Sequence, residues 1–96
     1  MLLSDLPAEI RTALAPLTPA LTAGHLSPVS WTFSEKAFGN FVVTFRGPGH
    51  ALTLTRDRGQ LIVDGCGRKS LKGAGLWKAF ETAEDLLPHL SDWLGQ

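Results

Sequence analysis

Between residues 29 and 64 the sequence alternates apolar and polar side chains in four consecutive runs, separated by turn residues. The runs are Val29–Ser34, Phe41–Arg46, Leu52–Thr55 and Gln60–Asp64, and Gly47-Pro48-Gly49 is the strongest of the turn signals. A period of two places successive side chains on opposite faces of a strand. Short turns between such runs favour antiparallel pairing of each strand with the next. The pattern therefore predicts a four-stranded antiparallel β-meander.

The last turn of this meander leaves two registers open. A two-residue loop at Arg58-Gly59 would pair Leu54 with Val63, whereas a three-residue loop with Gly59 in a bulge would place Ile62 beside Leu54. A slip of one residue exchanges the two faces of the strand. We favour the two-residue loop, because it gathers four aliphatic side chains on one face. They are Leu52, Leu54, Leu61 and Val63.

The segment before the meander has the pattern of an amphipathic helix over residues 4–15. Its apolar stripe consists of Leu6, Ile10, Ala13, Leu14 and Leu17. Ser4 or Asp5 can cap the helix, and Pro7 falls in the first turn, where its missing N–H costs little. Two later prolines should end or kink it, because a proline ring removes a backbone donor. A further short turn is then expected to end at Gly24.

The segment after residue 80 predicts a second amphipathic helix, whose cap is either Thr82 or Asp85. Its apolar stripe consists of Leu86, Leu87, Leu90, Trp93 and Leu94. Pro88 falls in the first turn if Asp85 is the cap, but inside the helix if Thr82 is. Both helices can bury their stripes against the apolar face of the sheet. The predicted fold class is therefore α+β, with an N-terminal helix, a four-stranded meander and a C-terminal helix packed on the sheet.

The length of 96 residues fits one domain, residues 1–96. Cys66 is the single cysteine, so no disulfide within the chain is possible, which suits a reducing compartment. The first residues lack the pattern of a signal peptide, and no apolar run reaches the roughly 18 residues of a spanning helix. We therefore expect a cytoplasmic protein that does not bind membranes. The high content of Ala, Leu, Gly and Pro is typical of GC-rich bacterial genomes.

Charge is segregated along the chain although the formal net charge is zero. Residues 1–35 carry a net charge of −2, residues 36–78 carry +6, and residues 79–96 carry −4. Such asymmetry can indicate an anionic partner. It equally fits an acidic helix that lies beside a basic sheet in the same molecule. The basic segment 46–78 gives an alternative hypothesis, in which the protein binds nucleic acid or phosphate.

A glycine-rich basic loop over residues 65–75 is the strongest feature of that segment. Its glycines would let backbone N–H groups approach an anion, and Arg68, Lys69 and Lys72 would add positive charge. The spacing nevertheless fails the P-loop pattern and the dinucleotide-binding pattern, since Ser70 stands where the latter needs its third glycine. The sequence therefore predicts no nucleotide and no other cofactor.

The residue types that carry catalysis are sparse and scattered. His25, His50 and His89 fall in a connection, a turn and a helix, and no third ligand accompanies the pair His89 and Asp92. The thiol of Cys66 lies near three cations, which can lower a thiol pKa, but no base accompanies it in the sequence. We therefore expect neither an enzyme nor a metal site.

The hairpin Arg56-Asp57-Arg58-Gly59-Gln60 followed by Leu61-Ile62-Val63-Asp64 resembles one found in small uncharacterised bacterial proteins. Some of these resemble immunity partners of secreted toxins. The likeness covers roughly residues 41–64 and implies a binding protein, but it transfers no site residues.

These features favour a non-catalytic protein-interaction domain of bacterial origin, and the resemblance implies an immunity-like role for it. The expected partner is another protein or a second copy of the chain, bound through the sheet face or the basic loop. Three tryptophans support this, since tryptophan is enriched at binding hot spots. The candidate binding surface consists of Arg56, Arg58, Arg68, Lys69 and Lys72.

Overall fold

The computed structural model describes residues 2–34, 36, 39–65, 75–76 and 78–94. Its helices are α1 (Ala8–Leu14), α2 (Thr18–Ala23) and α3 (Ala83–Leu94), and its strands are β1 (Ser27–Ser34), β2 (Asn40–Gly47), β3 (His50–Asp57) and β4 (Gln60–Gly65). Single turns of 3-10 helix precede and follow α1, at Leu3–Asp5 and Ala15–Leu17. The predicted α+β architecture, with helices before and after a meander, is confirmed.

The four strands form one antiparallel sheet in the order β1-β2-β3-β4. Leu54 pairs with Val63, and Asp57 pairs with Gln60, so the last turn is the predicted two-residue loop. Arg58 and Gly59 both have positive φ, at 54° and 83°. This is the geometry of a type I′ turn, whose twist matches that of the flanking strands.

β1 departs from simple alternation near its start. Pro28 pairs with Phe45 and Ser30 pairs with Thr44, so Val29 is the extra residue of a bulge. The bulge turns Val29 to solvent and gives its place on the buried side to Pro28. The sequence pattern predicted unbroken alternation from Val29 to Ser34, and the bulge interrupts that alternation before Ser30.

The N-terminal helix is shorter than the predicted span of residues 4–15. Leu6 adopts an extended conformation with ψ 151°, as the residue before a proline prefers, and Pro7 is the N-cap of α1. The residues of the predicted stripe still face inward, four of them buried and Ala13 half-buried. As expected, Pro16 lies in the 3-10 turn that ends α1, and Pro19 lies in the first turn of α2.

α3 begins at the first of its two candidate caps. The backbone N–H of Asp85 donates to Oγ1 of Thr82 at 3.1 Å, a capping bond that satisfies one free donor of the first turn. Pro88 therefore lies inside the helix, where it cannot donate to the carbonyl four residues earlier. Its side chain is exposed, while the predicted stripe packs into the core, with three residues buried and Leu87 and Leu94 half-buried.

One hydrophobic core lies between the sheet and a layer of helices. α3 packs against α2 and the Ala15–Leu17 turn, and a Cβ added to Gly24 would lie 3.2 Å from Leu94 Cδ2. The sheet contributes seven buried apolar side chains from β2, β3 and β4: Phe41, Val43, Phe45, Leu52, Leu54, Leu61 and Val63. None of the helices in the described ranges is long and apolar enough to cross a lipid bilayer.

The outer edge of β4 is hydrogen-bonded to the chain that leads into α3. Leu61 N–H donates to the Phe80 carbonyl at 2.7 Å, and Phe80 N–H donates back to the Leu61 carbonyl at 2.8 Å. The two residues form an isolated antiparallel bridge, which covers this edge at Leu61. This pairing could not be predicted from the sequence, because a single bridge has no periodicity.

Candidate functional site

The sheet has one face under the helices and one face turned away from them. Residues that are directly opposite on neighbouring strands share a face, so the register assigns each paired side chain to one of the two faces. The centre of the second face, here called the open face, is built from β-branched side chains of all four strands. They are Thr32, Val42, Thr44, Thr53, Thr55 and Ile62.

Two aliphatic side chains stand out on the open face. Val42 and Ile62 are each 38% exposed, and both pair with Thr55, which lies between them and is half-buried. The three side chains form a row across β2, β3 and β4. The next row contains Thr44 and Thr53, whose hydroxyl oxygens are 3.3 Å apart and share a hydrogen bond. The centre of the open face therefore offers methyl groups and hydroxyls, and no charge.

The charged residues of the open face lie around this centre. Arg46 and Asp64 are exposed and line a shallow depression at one end of the face. At the other end, the Asn40 side-chain amide donates to Oδ1 of Asp57 at 3.2 Å, and its carbonyl oxygen accepts the Arg58 backbone N–H at 3.0 Å. This arrangement, an uncharged centre with a polar rim, is the general anatomy of a protein–protein interface.

β1 adds exposed apolar surface at the edge of the sheet. Val29 in the bulge is 49% exposed, and Trp31 is 39% exposed although it shares the helix-side face with Val43. Trp31 is only partly covered because it lies on the outermost strand. Phe33, on the same side of β1, is half-buried against the core.

The basic residues proposed from the sequence are only partly described. Arg56 lies on the helix-side face, opposite Phe41 and Leu61, and it lines a cleft that also contains Glu81. Arg58 is exposed at the tip of the β3–β4 turn. The other three residues of the predicted binding surface, Arg68, Lys69 and Lys72, lie outside the described residues, as does most of the loop 65–75. Within the described ranges, Arg46 and Arg56 are on opposite faces and share no patch.

The three histidines occupy separate places in the structure. His50 contacts the buried Trp93 edge-on, with ring centroids 4.9 Å apart, and the His89 ring lies 5.3 Å from that of Phe80. His25 is exposed in the turn that follows α2. The described ranges contain no group of three or more His, Cys, Asp or Glu that could hold a metal ion. Cys66 lies outside these ranges.

Sequence reasoning named the sheet face only in general terms and selected basic residues instead. A usable signal was nevertheless present. Val42 and Ile62 occupy polar-parity positions of their strands, and four threonines fill the neighbouring positions where charged residues are common on solvated sheets. A strand with regular alternation that also carries β-branched residues at its solvent-facing positions therefore presents a candidate docking surface.

Comparison with known proteins adds no relative to this description. No protein-family model matches the chain. Neither the curated proteins nor the solved structures contain a significant match.

Proposed function

We propose that this protein is a non-catalytic protein-interaction domain that binds another protein on the open face of its sheet. The observation that carries the proposal is the uncharged centre of that face, where Val42, Thr55 and Ile62 form a continuous row across three strands. Solvated faces of antiparallel sheets usually carry polar side chains. An exposed row with an aliphatic residue at each end gains free energy when a partner covers it, about 25 cal/mol for each Å² of apolar surface removed from water.

The chemistry of the face limits the kind of partner. A charged group of the partner placed over the centre would lose its hydration. Val42 and Ile62 cannot form an ion pair or a hydrogen bond with that group, so its desolvation would cost free energy. A complementary surface would be apolar at its middle, with hydrogen-bonding groups that reach the hydroxyls of Thr44 and Thr53. Charged residues of the partner would face the rim, where Arg46, Asp57 and Asp64 lie.

The resemblance of the hairpin Arg56–Asp64 to toxin-immunity proteins supports a narrower version of this proposal. In that version the partner is a bacterial protein toxin, which the domain holds inactive. The hairpin contributes Ile62 and Asp64 to the open face, so a toxin bound there would contact the segment that carries the resemblance. This version predicts a toxin-like gene next to this one, whose product should form a stable complex with the domain on co-expression and lose its toxicity to the cell.

Site-specific photo-crosslinking tests the general proposal. A photoreactive amino acid is placed at Val42 or Ile62 on the open face, and in a matched control at Thr22, which is exposed on α2 in the helical layer. Irradiation of the native host should give one discrete protein adduct from the two open-face positions and none from Thr22. Absence of an adduct at both open-face positions, or an adduct from Thr22 alone, would overturn the proposal.

The alternative, a nucleic-acid or phosphate binder, is distinguished in the same experiment. Adducts that disappear on nuclease treatment would contradict a protein partner. Direct titration with an oligonucleotide then tests the alternative itself, which predicts salt-sensitive binding that is lost when Arg68, Lys69 and Lys72 are replaced by alanine.

A further inference from the structure

β1 is an outer strand of the sheet, and its outer side is the second surface of interest. Among the residues that the structure describes, β1 pairs with β2 alone, whereas β4 on the opposite edge is bridged to Phe80. An edge strand presents unpaired N–H and C=O groups to solvent, which form a template for a further strand. This surface is distinct from the open face, and the inference that follows does not depend on the proposed function.

The register shows which backbone groups of β1 point outward. In antiparallel sheets alternate residues direct their N–H and C=O to the same neighbour, and a two-residue hairpin loop closes on a hydrogen-bonded pair. Gly47 and His50 are that closing pair between β2 and β3. Gly47 therefore directs its N–H and C=O toward β3, as does every second residue before it in β2. Val42 and Thr44 are the residues in between, so their N–H and C=O groups point toward β1.

Their partners in β1, Thr32 and Ser30, therefore point inward to β2, and the residues Trp31 and Phe33 point outward. The same reasoning applies at the β3–β4 turn, which closes on Asp57 and Gln60. The backbone N–H and C=O of Leu61, the next residue of β4, should therefore point away from β3. Leu61 does exchange two hydrogen bonds with Phe80 outside the sheet, which supports the count.

The side chains of β1 do not protect this edge in the usual way. Natural edge strands are commonly guarded by charged residues, prolines or bulges. Ser27–Ser34 contains no charged residue, and its proline and bulge lie together at Pro28 and Val29. The remaining segment, Ser30–Ser34, is regular, uncharged and free of proline. Because it is uncharged, two copies can pair in antiparallel orientation without opposing like charges.

We propose that β1 pairs with β1 of a second copy of this chain, antiparallel and centred on Thr32. In this register Trp31 lies opposite Phe33 of the second copy, and Phe33 lies opposite Trp31 of the second copy. All four are the residues whose backbone groups point outward, so they form two complete hydrogen-bonded pairs. The dimer contains one continuous eight-stranded sheet, with the open faces of both copies on the same side.

The side chains favour this register over its neighbours. Centred on Thr32, the pairing stacks an aromatic ring against an aromatic ring twice on the helix-side face, which covers the exposed part of Trp31. On the open face it sets Thr32 against Thr32 and Ser30 against Ser34. Pairing centred on Trp31 would instead place Phe33 opposite Val29, inside the bulge, where the ladder is interrupted.

The first experiment measures the mass of the purified protein by sedimentation equilibrium. Small interfaces dissociate at moderate dilution, so the measurement spans about 1 µM to about 1 mM. A reversible monomer–dimer equilibrium is expected. A mass that stays monomeric throughout this range overturns the proposal.

Cysteine crosslinking then tests the register, in a chain whose native Cys66 is replaced by serine. Thr32→Cys should form a disulfide between copies, because it faces itself in a non-hydrogen-bonded pair, where the side chains are closest. Ser30→Cys and Ser34→Cys should each fail to crosslink alone and should crosslink when mixed. A dimer in which Thr32→Cys does not crosslink, or Ser34→Cys crosslinks with itself, overturns the register and with it the proposal.

Charge substitutions at Thr32 test the dimer without requiring disulfide oxidation. Thr32→Lys and Thr32→Glu should each weaken the homodimer by at least about tenfold through repulsion across the axis, and their mixture should form the heterodimer. Val42→Lys on the adjacent strand is the matched control and should leave the dimer intact. Circular dichroism confirms that each variant folds. Equal loss in the control, or no recovery in the mixture, overturns the proposal.

Discussion

Val42 and Val43 are neighbouring residues of the same type in the same strand, yet they belong to different environments. Val43 is fully buried under the helices, whereas Val42 is 38% exposed on the open face. Ile62 and its neighbours Leu61 and Val63 show the same contrast in β4. The comparison teaches that apolar character alone does not assign a residue to the core of this sheet. The register does, and the surplus apolar residues on the other side mark a surface.

The two faces also differ in the shape of their side chains. The buried face uses long or aromatic residues such as Leu52, Leu54 and Phe45, which reach the helices and fill the space between layers. The centre of the open face uses threonine, valine and isoleucine, whose branched β-carbons favour extended backbone whether or not they are buried. The residues of the open face therefore stabilise the strands even when no partner is bound, and their burial under a partner would still release free energy.

The largest expected difference between the faces comes from Leu54 and its neighbour Thr55. Leu54→Ala should lower the free energy of unfolding by about 2–5 kcal/mol, because it leaves a cavity in the core. Thr55→Ala, on the open face, should change it by no more than about 1 kcal/mol. Urea denaturation followed by circular dichroism measures both values. Similar losses in the two variants would mean that the open face is covered in solution.

A double substitution on the open face should separate binding from folding. Val42→Asp with Ile62→Asp places two carboxylates at the ends of the exposed row, and a bound partner would have to desolvate both. We expect at least about a hundredfold weaker binding to the crosslinked partner, measured by titration calorimetry. The control is Glu9→Gln together with Glu84→Gln on the helical layer, which should leave affinity unchanged. Unaltered binding by the double aspartate variant would place the interface elsewhere.

The sharpest comparison is the valine pair itself. Val43→Ala removes two buried methyl groups and should cost about 2 kcal/mol, whereas Val42→Ala should stay within about 0.5 kcal/mol of the parent. Both positions have the same strand propensity and the same chemistry, so the difference isolates burial. If Val42→Ala proves as costly as Val43→Ala, the assignment of the two faces is wrong.

The smallest expected effect concerns the turn that sets the faces of β4. Arg58 has a positive φ of 54°, which side chains other than Asn, Asp and Gly adopt at a cost. Arg58→Asn should raise the free energy of unfolding by about 0.5 kcal/mol, because Asn-Gly suits a type I′ turn best. Arg58→Ala is the control and should give no gain. A loss of stability in Arg58→Asn would indicate that the arginine side chain has a role beyond the turn.

Much of the sheet could be predicted from the sequence, because period-two alternation and turn residues act locally. The register at Arg58-Gly59 followed from one requirement, that Leu54 and Val63 share a face. The choice between Thr82 and Asp85 as the cap of α3 did not follow, because Pro88 is acceptable in one case and unfavourable in the other. The structure accepts the unfavourable proline, since tertiary packing of Leu86, Leu90 and Trp93 outweighs local preference.

The candidate surfaces were harder to predict, because they depend on what is left uncovered. The bulge at Val29 depends on how β1 pairs with β2, and no residue type in that segment predicts a bulge. The bridge between Leu61 and Phe80 pairs single residues from distant segments. Charged residues drew attention to Arg56, although its position opposite Phe41 and Leu61 turns it toward the helical layer. The sequence pattern predicts which residues a strand contains, whereas the exposure of their side chains depends on the tertiary structure.

The packing of α2 against α3 has a consequence for the order in which the chain folds. Each strand pairs with the strand next to it in sequence, so the hairpins need only short loop closures, whereas the contact of Gly24 with Leu94 closes a loop of about 70 residues. Early hairpins and a late helical layer are therefore expected. In kinetic terms, truncating Leu54 should slow refolding, and truncating Leu90 should chiefly accelerate unfolding. Stopped-flow measurements that found the reverse would show that the layer forms first and recruits the strands.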